Sequence, residues 1–139
     1  MKEKVKARSV PFSKTRNRHA HETAEDYVEA VGEIIEESGE CRVLDLARYF
    51  NVSHVTVSRI VKRLQDEHLL YSQPYHPVEL TKKGASLATR VRRRHAVVLE
   101  FLIALGVDES SAQIDSEGIE HHVGPKTLAA MKCFLNDES

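Results

Sequence analysis

The sequence predicts a mostly α-helical protein in which an N-terminal winged helix-turn-helix is joined by a long helix to a small helical dimerisation domain. Three observations predict this fold class. Gly and Pro are few, and apolar residues recur at helical spacing through most of the 139 residues. Two short helical patterns are joined by a tight turn at 51–53, and two short extended runs follow them. We expect a basic flexible arm at residues 1–19, the winged helix-turn-helix at 20–80, and the linking helix with the dimerisation domain at 81–139.

Length and composition exclude several classes of protein. A chain of this length can bury a hydrophobic core without covalent staples, and its two cysteines, Cys41 and Cys133, lack the paired spacing of a disulfide framework. No apolar run approaches the roughly 20 residues of a membrane-spanning helix, and no apolar signal segment stands at the N-terminus. The sequence therefore predicts a soluble, cytoplasmic protein with no membrane partner.

Charge is strongly segregated along the chain, although the formal net charge is only -1. Residues 1–18 carry seven Lys or Arg against one acidic residue, and residues 81–94 carry six basic residues and no acidic one. Between them, residues 22–40 hold eight acidic residues and no Lys or Arg. Such a chain can present a cation site and a polyanion site on different surfaces. The basic arm is either an inert tail or a segment that contacts phosphates.

The first helix is predicted from about His21 to Ser38, with Gly39 as its stop. Its apolar residues repeat at helical spacing and comprise Tyr27, Val31, Ile34 and Ile35. Asp26 and Glu29 are three residues apart, so they lie on one side of this helix and form a small carboxylate pair.

Residues 42–70 have the pattern of two short helices around a tight turn, with Ser53 as the N-cap of the second helix. In a helix-turn-helix, the N-terminal residues of the second helix read the major groove, and basic residues farther along meet phosphates. The polar residues left on this helix after its apolar face is buried are the predicted DNA contacts: Ser53, His54, Thr56, Arg59, Lys62 and Arg63. The alternative is an ordinary helical hairpin with a basic, solvated face.

Two extended runs, 69–73 and 78–80, flank a proline-bounded turn. A hairpin in this position forms a wing, which can touch the DNA backbone or the minor groove. Thr81 is then predicted to cap a long helix that runs to about Leu105. An apolar seam along this helix suggests dimerisation, and its members are Leu87, Val91, His95, Val98, Leu102 and Leu105.

A helix that opens at Asp108 is predicted to carry the stretch 115–123, and a last amphipathic helix follows it. If this stretch is helical, Glu117, Glu120 and His121 share one face. Oxygen and imidazole ligands suit manganese, iron or zinc, and a divalent cation relieves the repulsion between the carboxylates. The alternative is a solvated acidic face.

Together these motifs resemble the diphtheria-toxin-repressor family of metal-dependent transcription regulators, and most of all its short manganese-responsive branch, the manganese transport regulators. The resemblance covers about residues 20–136. It is carried by Asp-Tyr-Val-Glu at 26–29, the helix-turn-helix at 43–66, Arg-His at 94–95 and Glu-Gly-Ile-Glu-His-His at 117–122.

The resemblance implies a metal site made of six residues: Asp26, Glu29, His95, Glu117, Glu120 and His121. In the iron-responsive branch a Met and a Cys stand at the positions of Asp26 and Glu117, so oxygen ligands at both imply a manganese sensor. Four carboxylates balance the charge of two divalent cations, and we therefore expect two Mn(II) per subunit. The resemblance also implies a homodimer that binds a palindromic operator in double-stranded DNA and represses genes for metal uptake.

Three alternatives remain open at the level of sequence. The protein is an iron- or zinc-responsive regulator of the same family, since zinc binds such ligands more tightly than manganese. It is a metal-independent winged-helix regulator whose acidic clusters are solvated. Or it is a binuclear hydrolase, in which two metals about 3.5 to 4 Å apart activate water. No nucleophile or general base stands out beyond the predicted ligands, so the sequence favours a regulator that is not an enzyme.

Overall fold

The structure is a computed structural model that describes residues 2–138, with the side chains of residues 19–137. Within these residues it contains six helices and one two-stranded sheet, which confirms the mostly α-helical fold class. The elements in chain order are α1 (Lys2–Ser38), α2 (Val43–Phe50), α3 (His54–Asp66), β1 (Leu70–Tyr71), β2 (Glu79–Leu80), α4 (Lys82–Ala104), α5 (Glu109–Ile119) and α6 (Pro125–Glu138). No helix in this part of the chain is both long enough and apolar enough to span a membrane.

Helix α1 ends where the sequence predicts but begins earlier. Gly39 adopts φ +87°, and its amide donates to the carbonyl of Ile35 over 2.8 Å, which stops the helix after Ser38. The predicted start near His21 is wrong, because the helix begins at Lys2. The apolar repeat begins only near His21, and Pro11 interrupts the segment before it, so the sequence pattern favours a later start than the structure shows. The side chains of the predicted basic arm lie outside the described residues as far as residue 18, so the flexibility of the arm stays a prediction.

The chain forms two compact units. The helix-turn-helix unit comprises Ala24–Arg92, and the C-terminal unit comprises the residues up to Thr23 together with those from Arg93 onwards. Both α1 and α4 contribute residues to each unit.

The helix-turn-helix unit is built around one apolar cluster, to which α1, α2, α3, the two strands and the first half of α4 all contribute. Val28, Leu46 and Leu64 are fully buried in this cluster. Tyr27 of α1 stacks on Phe50 of α2 with ring centroids 4.4 Å apart. Several elements that are short by themselves are thus fixed by one shared core.

The turn between α2 and α3 is set by local chemistry. Asn51 ends α2 in the left-handed conformation, with φ 54°, which Asn tolerates better than most residues. Ser53 begins α3 as its N-cap, and its hydroxyl accepts a hydrogen bond of 3.2 Å from the amide of Thr56. The predicted helix-turn-helix is confirmed.

The wing is a short antiparallel hairpin in which Leu70 pairs with Leu80 and Tyr71 pairs with Glu79. A bridge also joins the hairpin to the segment before α2, since the amide of Val78, next to the Tyr71–Glu79 pair, donates to the carbonyl of Cys41 over 2.7 Å. The hairpin is where the sequence predicts it, but its strands are shorter than the predicted runs, because the prolines of the turn cannot donate to a strand ladder.

Helix α4 begins with the predicted cap. The hydroxyl oxygen of Thr81 accepts a hydrogen bond of 3.0 Å from the amide of Gly84. Leu87 and Val91 of the predicted seam belong to the core of the helix-turn-helix unit, and Val98 is also fully buried. This half of the seam is therefore covered within the chain and is not open to a second copy. Helical spacing identified the apolar face correctly but does not say what covers it.

The C-terminal unit joins the end of α4 to α5 and α6. Phe101 and Phe134 meet edge to face with centroids 5.3 Å apart. Asp108 caps α5 as predicted, since its carboxylate accepts a hydrogen bond of 3.0 Å from the amide of Ser111. This hydrogen bond holds the pKa of Asp108 below its usual value of 3.8.

Candidate metal centre and nucleic-acid interface

The carboxylate of Glu120 is the centre of a buried polar cluster in the C-terminal unit. Its side chain is 2 % exposed, and its Oε2 atom lies 2.5 Å from Nδ1 of His95. On the other side, Oε1 lies 3.5 Å from Nε2 of His121, whose side chain is also 2 % exposed. One carboxylate thus faces two imidazoles, one from α4 and one that follows α5 in the chain.

The end of α5 explains how Glu120 and His121 reach this position. The sequence predicts a helix through residue 123, but α5 ends at Ile119, and Glu120 is its C-cap. The amides of His121 and His122 donate to the carbonyls three residues earlier, over 3.4 and 3.0 Å. This tightening is frequent in a last helical turn.

Arg94 of α4 forms a hydrogen bond to the same last turn of α5. Its guanidinium donates a hydrogen bond of 2.9 Å to the backbone carbonyl of Glu120. Consecutive residues of α4, Arg94 and His95, therefore contact the backbone and the side chain of one residue. The bond from Arg94 fixes the backbone of Glu120, whereas His95 contacts Oε2 of its carboxylate.

Glu117 is exposed, in contrast to Glu120 and His121. The buried side of α5 carries Ala112 and Ser116. The predicted face shared by Glu117, Glu120 and His121 is therefore divided between solvent and the buried cluster. Glu120 lies four residues after Ser116 on the buried side of α5, whereas Glu117 follows Ser116 directly and is turned away from that side.

Asp26 and Glu29 belong to the helix-turn-helix unit and are half-buried on α1. The Oε2 atom of Glu29 is buried. The neighbouring Glu25 is fully buried as well, and the sequence analysis did not identify it. Glu25 lies three residues before the core residue Val28 and therefore on the apolar side of α1. This spacing alone could have indicated its burial from the sequence.

The donor chemistry of these residues fits a divalent metal ion. In this structure, no group of three or more His, Cys, Asp or Glu side chains among the described residues is placed so that it could hold a metal ion. Around Glu120, however, a buried carboxylate and two imidazoles are brought together, and these are ligands that transition metals such as Mn(II) accept. Burying a carboxylate is unfavourable without compensating partners, so this cluster differs from a solvated acidic face.

The predicted DNA contacts lie on one helix of the helix-turn-helix unit. Five of the six are exposed, namely Ser53, His54, Arg59, Lys62 and Arg63, and Thr56 is half-buried beside Ser53. The opposite side of α3 carries the buried residues Val57, Val61 and Leu64. Burial raises the pKa of Tyr27, and the positive charge of Arg63 acts against this rise.

Val55 is a residue of this surface that the sequence analysis missed. It stands in the first turn of α3 and is 64 % exposed. An apolar side chain in this position can contact the methyl group of thymine in the major groove. The signal was present in the sequence, because Val55 falls outside the helical repeat of the buried residues.

Two sequence models of the iron-dependent repressor family match the chain. The model of the N-terminal DNA binding domain matches residues 19–78, and the model of the metal binding and dimerisation domain matches residues 81–138. The exposed face of α3 lies in the first match and the cluster around Glu120 in the second.

Known relatives include two transcriptional regulators named MntR. The chain is 42% identical over 123 residues to the one from Escherichia coli O157:H7, which covers 88% of this chain and 79% of the relative. It is 41% identical over 120 residues to the one from Bacillus velezensis, which covers 83% of this chain and 84% of the relative.

Solved structures with the same fold include the manganese regulator SloR, at 30% identity and a TM-score of 0.70, and a manganese-dependent transcriptional repressor in complex with manganese, at 26% identity and a TM-score of 0.73. Each match covers 81% of this chain. The chain spans only about half the length of these two proteins, 53% and 52%.

Proposed function

The chain belongs to the iron-dependent repressor family of metal-dependent, DNA-binding transcriptional repressors, and we propose that it is a manganese-responsive repressor of genes for metal uptake. The observation that carries this proposal is the buried carboxylate of Glu120 between His95 and His121, because an imidazole and carboxylate site can accept Mn(II). Two similar proteins of solved structure are named for manganese, which favours manganese over iron or zinc. Both matched models are of repressor domains, so nothing favours the hydrolase alternative.

The proposed ligand set is the one that the family resemblance implies: Asp26, Glu29, His95, Glu117, Glu120 and His121. Four carboxylates balance the charge of two Mn(II) per subunit. The charge of the bound cations is what allows these carboxylates to share one site. His95 and Arg94 both contact Glu120, and Glu117 would supply its carboxylate from the solvent side of α5.

The ligand set draws on both units, and this is the basis of the proposed switch. Asp26 and Glu29 belong to the unit that carries α3, whereas the other four residues belong to the C-terminal unit. Without a cation, repulsion between the carboxylates keeps them from sharing one site. The separation of the two recognition helices in a dimer is then free to vary. When all six residues are engaged, the two α3 helices are held about one helical turn of DNA apart, about 34 Å, as a palindromic operator requires.

The coupling between metal and DNA is a population shift. The coupling free energy can be no larger than the difference in the cation's binding free energy between the conformation that binds DNA and the one that does not. Repression of metal-uptake genes then follows when manganese is plentiful. A regulator of this kind acts on genomic DNA, and we place it in the cytoplasm.

The C-terminal unit carries the surface on which we place the homodimer contact. Four large apolar side chains of this unit are exposed: Ile103 at 45%, Leu105 at 58%, Ile114 at 71% and Ile119 at 38%. Exposed apolar residues close in sequence are typical of an interface between copies. The segment matched by the dimerisation domain contains all four.

The proposal is tested by fluorescence-anisotropy titration of a labelled palindromic promoter fragment at fixed salt, in chelator, Mn(II), Fe(II) or Zn(II). We expect Mn(II) to tighten binding strongly in the wild-type protein and not in Glu120→Ala. Glu109→Ala is the matched control, because Glu109 is an exposed acid in the first turn of α5 and lies outside the ligand set. Equal binding in chelator and in Mn(II) would contradict metal gating. A larger response to Zn(II) or Fe(II) would assign the sensor to that metal.

A further inference from the structure

The tip of the wing carries the most exposed large apolar side chain among the described residues of the helix-turn-helix unit. Tyr75 is 98% exposed, so its ring contacts almost nothing within the chain. The tip, residues 71–78, contains no acidic residue. A large aromatic side chain in this setting is unusual, because most of its apolar area stays in water.

The backbone of Tyr75 is also held in an unfavourable conformation. The tip is a β-turn in which the amide of His76 donates to the carbonyl of Gln73 over 3.1 Å. Tyr75 occupies the third position of this turn with φ 66°, where Gly or Asn is usual. A bulky residue in the left-handed region is strained, and such strain is often found at functional sites. Packing does not explain it, since the ring is exposed.

The tip is fixed relative to the rest of the helix-turn-helix unit. The guanidinium of Arg42 donates a hydrogen bond of 3.4 Å to the carbonyl of Tyr75. Its Nε atom also donates to Glu40 over 3.1 Å. At the end of the tip, the bridge between Cys41 and Val78 ties the hairpin to the same segment. The exposed ring is therefore presented on a supported hairpin.

The neighbouring surface has the charge of a DNA-binding surface. A groove runs between the wing and α3, and its lining includes Arg42, Lys62, Gln65, Gln73 and Tyr75. The two charged residues of this lining, Arg42 and Lys62, are cations. Lys62 also belongs to the exposed face of α3 that we assign to DNA. The groove thus extends the exposed face of α3 towards the wing tip. A continuous surface with cationic side chains is what binding to a phosphate backbone requires.

We infer that Tyr75 is a DNA contact, placed by Arg42 against the duplex next to the base pairs that α3 reads. The ring covers the sugar and phosphate backbone or the edge of the minor groove, and Arg42 is the positioning residue that fixes the turn. This inference rests on the proposed function, because it requires that the metal-loaded protein binds duplex DNA.

The first test separates DNA binding from stability. Tyr75→Asn removes the ring and places a residue that tolerates positive φ in the turn. In the full chain with Mn(II), we expect this variant to bind the promoter duplex about tenfold more weakly, while its urea midpoint stays equal to the wild-type value or rises. Tyr49→Ala is the control. Tyr49 is a half-exposed tyrosine of the same unit whose hydroxyl bonds to the acidic Glu33, and its loss should leave affinity unchanged.

A second measurement observes the contact directly. The chain has no Trp, so Tyr75→Trp introduces a unique fluorophore at the wing tip. We expect the promoter duplex to protect this residue from quenching by acrylamide. Unchanged quenching together with unchanged affinity of Tyr75→Asn, in a wild-type protein that does bind the duplex, overturns the wing contact alone. Failure of the wild-type protein to bind the duplex overturns the proposed function as well. A change of oligomeric state in Tyr75→Asn would assign the tip to a protein contact and also overturn the inference.

The role of Arg42 is tested by a double-mutant cycle with Arg42→Gln. If Arg42 acts by positioning Tyr75, its loss weakens DNA binding in the wild-type background and has little further effect in Tyr75→Asn. If the two substitutions raise the dissociation constant for DNA by factors that multiply in the double variant, Arg42 binds phosphate independently of Tyr75. That result would overturn its positioning role.

Discussion

Nδ1 of His95 lies 2.5 Å from Oε2 of Glu120, although 25 residues separate them in the sequence. The contact joins the middle of α4 to the end of α5 inside the C-terminal unit. Arg94 adds a hydrogen bond to the backbone of Glu120. Three of the six proposed ligands, His95, Glu120 and His121, thus lie together, and a cation that binds ligands held in this way has less conformational entropy to overcome than one that must order them.

Glu120→Gln is expected to abolish most of the stabilisation that manganese gives. A ligand at 100 times its dissociation constant raises the free energy of unfolding by about 2.7 kcal/mol, and we expect Glu120→Gln to gain less than half of this. Chemical denaturation in chelator and in Mn(II), followed by circular dichroism, measures the difference. Glu109→Gln should respond like the wild-type protein. A full manganese response in Glu120→Gln would remove Glu120 from the ligand set.

Glu117→Gln separates a ligand from a structural residue. Because Glu117 is exposed, its substitution should change the free energy of unfolding of the metal-free protein by no more than about 0.5 kcal/mol. If Glu117 is a ligand, the same variant binds Mn(II) more weakly. Isothermal titration calorimetry measures both the affinity and the number of sites. Wild-type affinity in this variant would reduce the proposed set to five residues.

Val55→Ser tests whether the exposed apolar residue of α3 reads thymine. We expect about fivefold weaker binding to the promoter duplex, since an apolar contact to the thymine methyl group is lost. Replacing thymine by deoxyuridine in the duplex removes the same methyl group, so it should weaken the wild-type protein and leave Val55→Ser unaffected. Val52→Ser, at a residue that is 40 % exposed in the turn, is the matched control. If deoxyuridine weakens DNA binding by both proteins equally, Val55 does not contact the thymine methyl group.

The boundaries of the elements could be predicted from the sequence because caps are local chemistry. Ser53, Thr81 and Asp108 each accept a hydrogen bond from an amide three residues later, and a hydroxyl or carboxylate followed by an apolar repeat is enough to indicate this. Gly39 ended α1 for an equally local reason. The start of α1 could not be predicted in the same way, because no capping residue followed by an apolar repeat marks it.

The burial of particular residues depended on packing and could not be predicted. The seam residues Leu87 and Val91 are covered by the chain itself, and Glu25 is buried although it is charged. The contact between His95 and Glu120 likewise depends on how α4 meets the end of α5. The composition of the candidate site came from the family resemblance, and the structure adds which of its residues are buried and what holds them.

The two cysteines should differ sharply in reactivity. Burial, with a smaller contribution from the carboxylate of Asp45, raises the pKa of the Cys41 thiol from 9.0 to about 12, and Cys133 is exposed. At pH 8, iodoacetamide should modify one thiol of the native protein and two of the denatured protein, as mass spectrometry can count. The raised pKa also implies that Cys41 supports the fold fully below pH 9 and progressively less as the pH rises towards about 12, because the unfolded chain ionises first. Rapid labelling of Cys41 in the native protein would contradict its burial.

Gly84→Ala is expected to be among the most damaging single changes in the helix-turn-helix unit. A Cβ atom on Gly84 would lie 2.0 Å from the carbonyl oxygen of Leu69, and the amide of Gly84 is bonded to Thr81, so neither backbone can move away freely. We expect the free energy of unfolding to fall by about 2 to 3 kcal/mol.

The matched control is Gly32→Ala on α1, where the nearest atom to a new Cβ is Cδ1 of Leu80 at 3.7 Å, an ordinary contact. This change should be neutral, or should raise the free energy of unfolding by up to about 1 kcal/mol, because Ala favours a helix more than Gly does. Urea denaturation of the two variants compares them directly. Since both residues are helical glycines that pack beside the wing, equal effects would mean that general helix propensity decides the outcome, whereas a loss confined to Gly84→Ala would establish the close approach of α4 to the start of the wing.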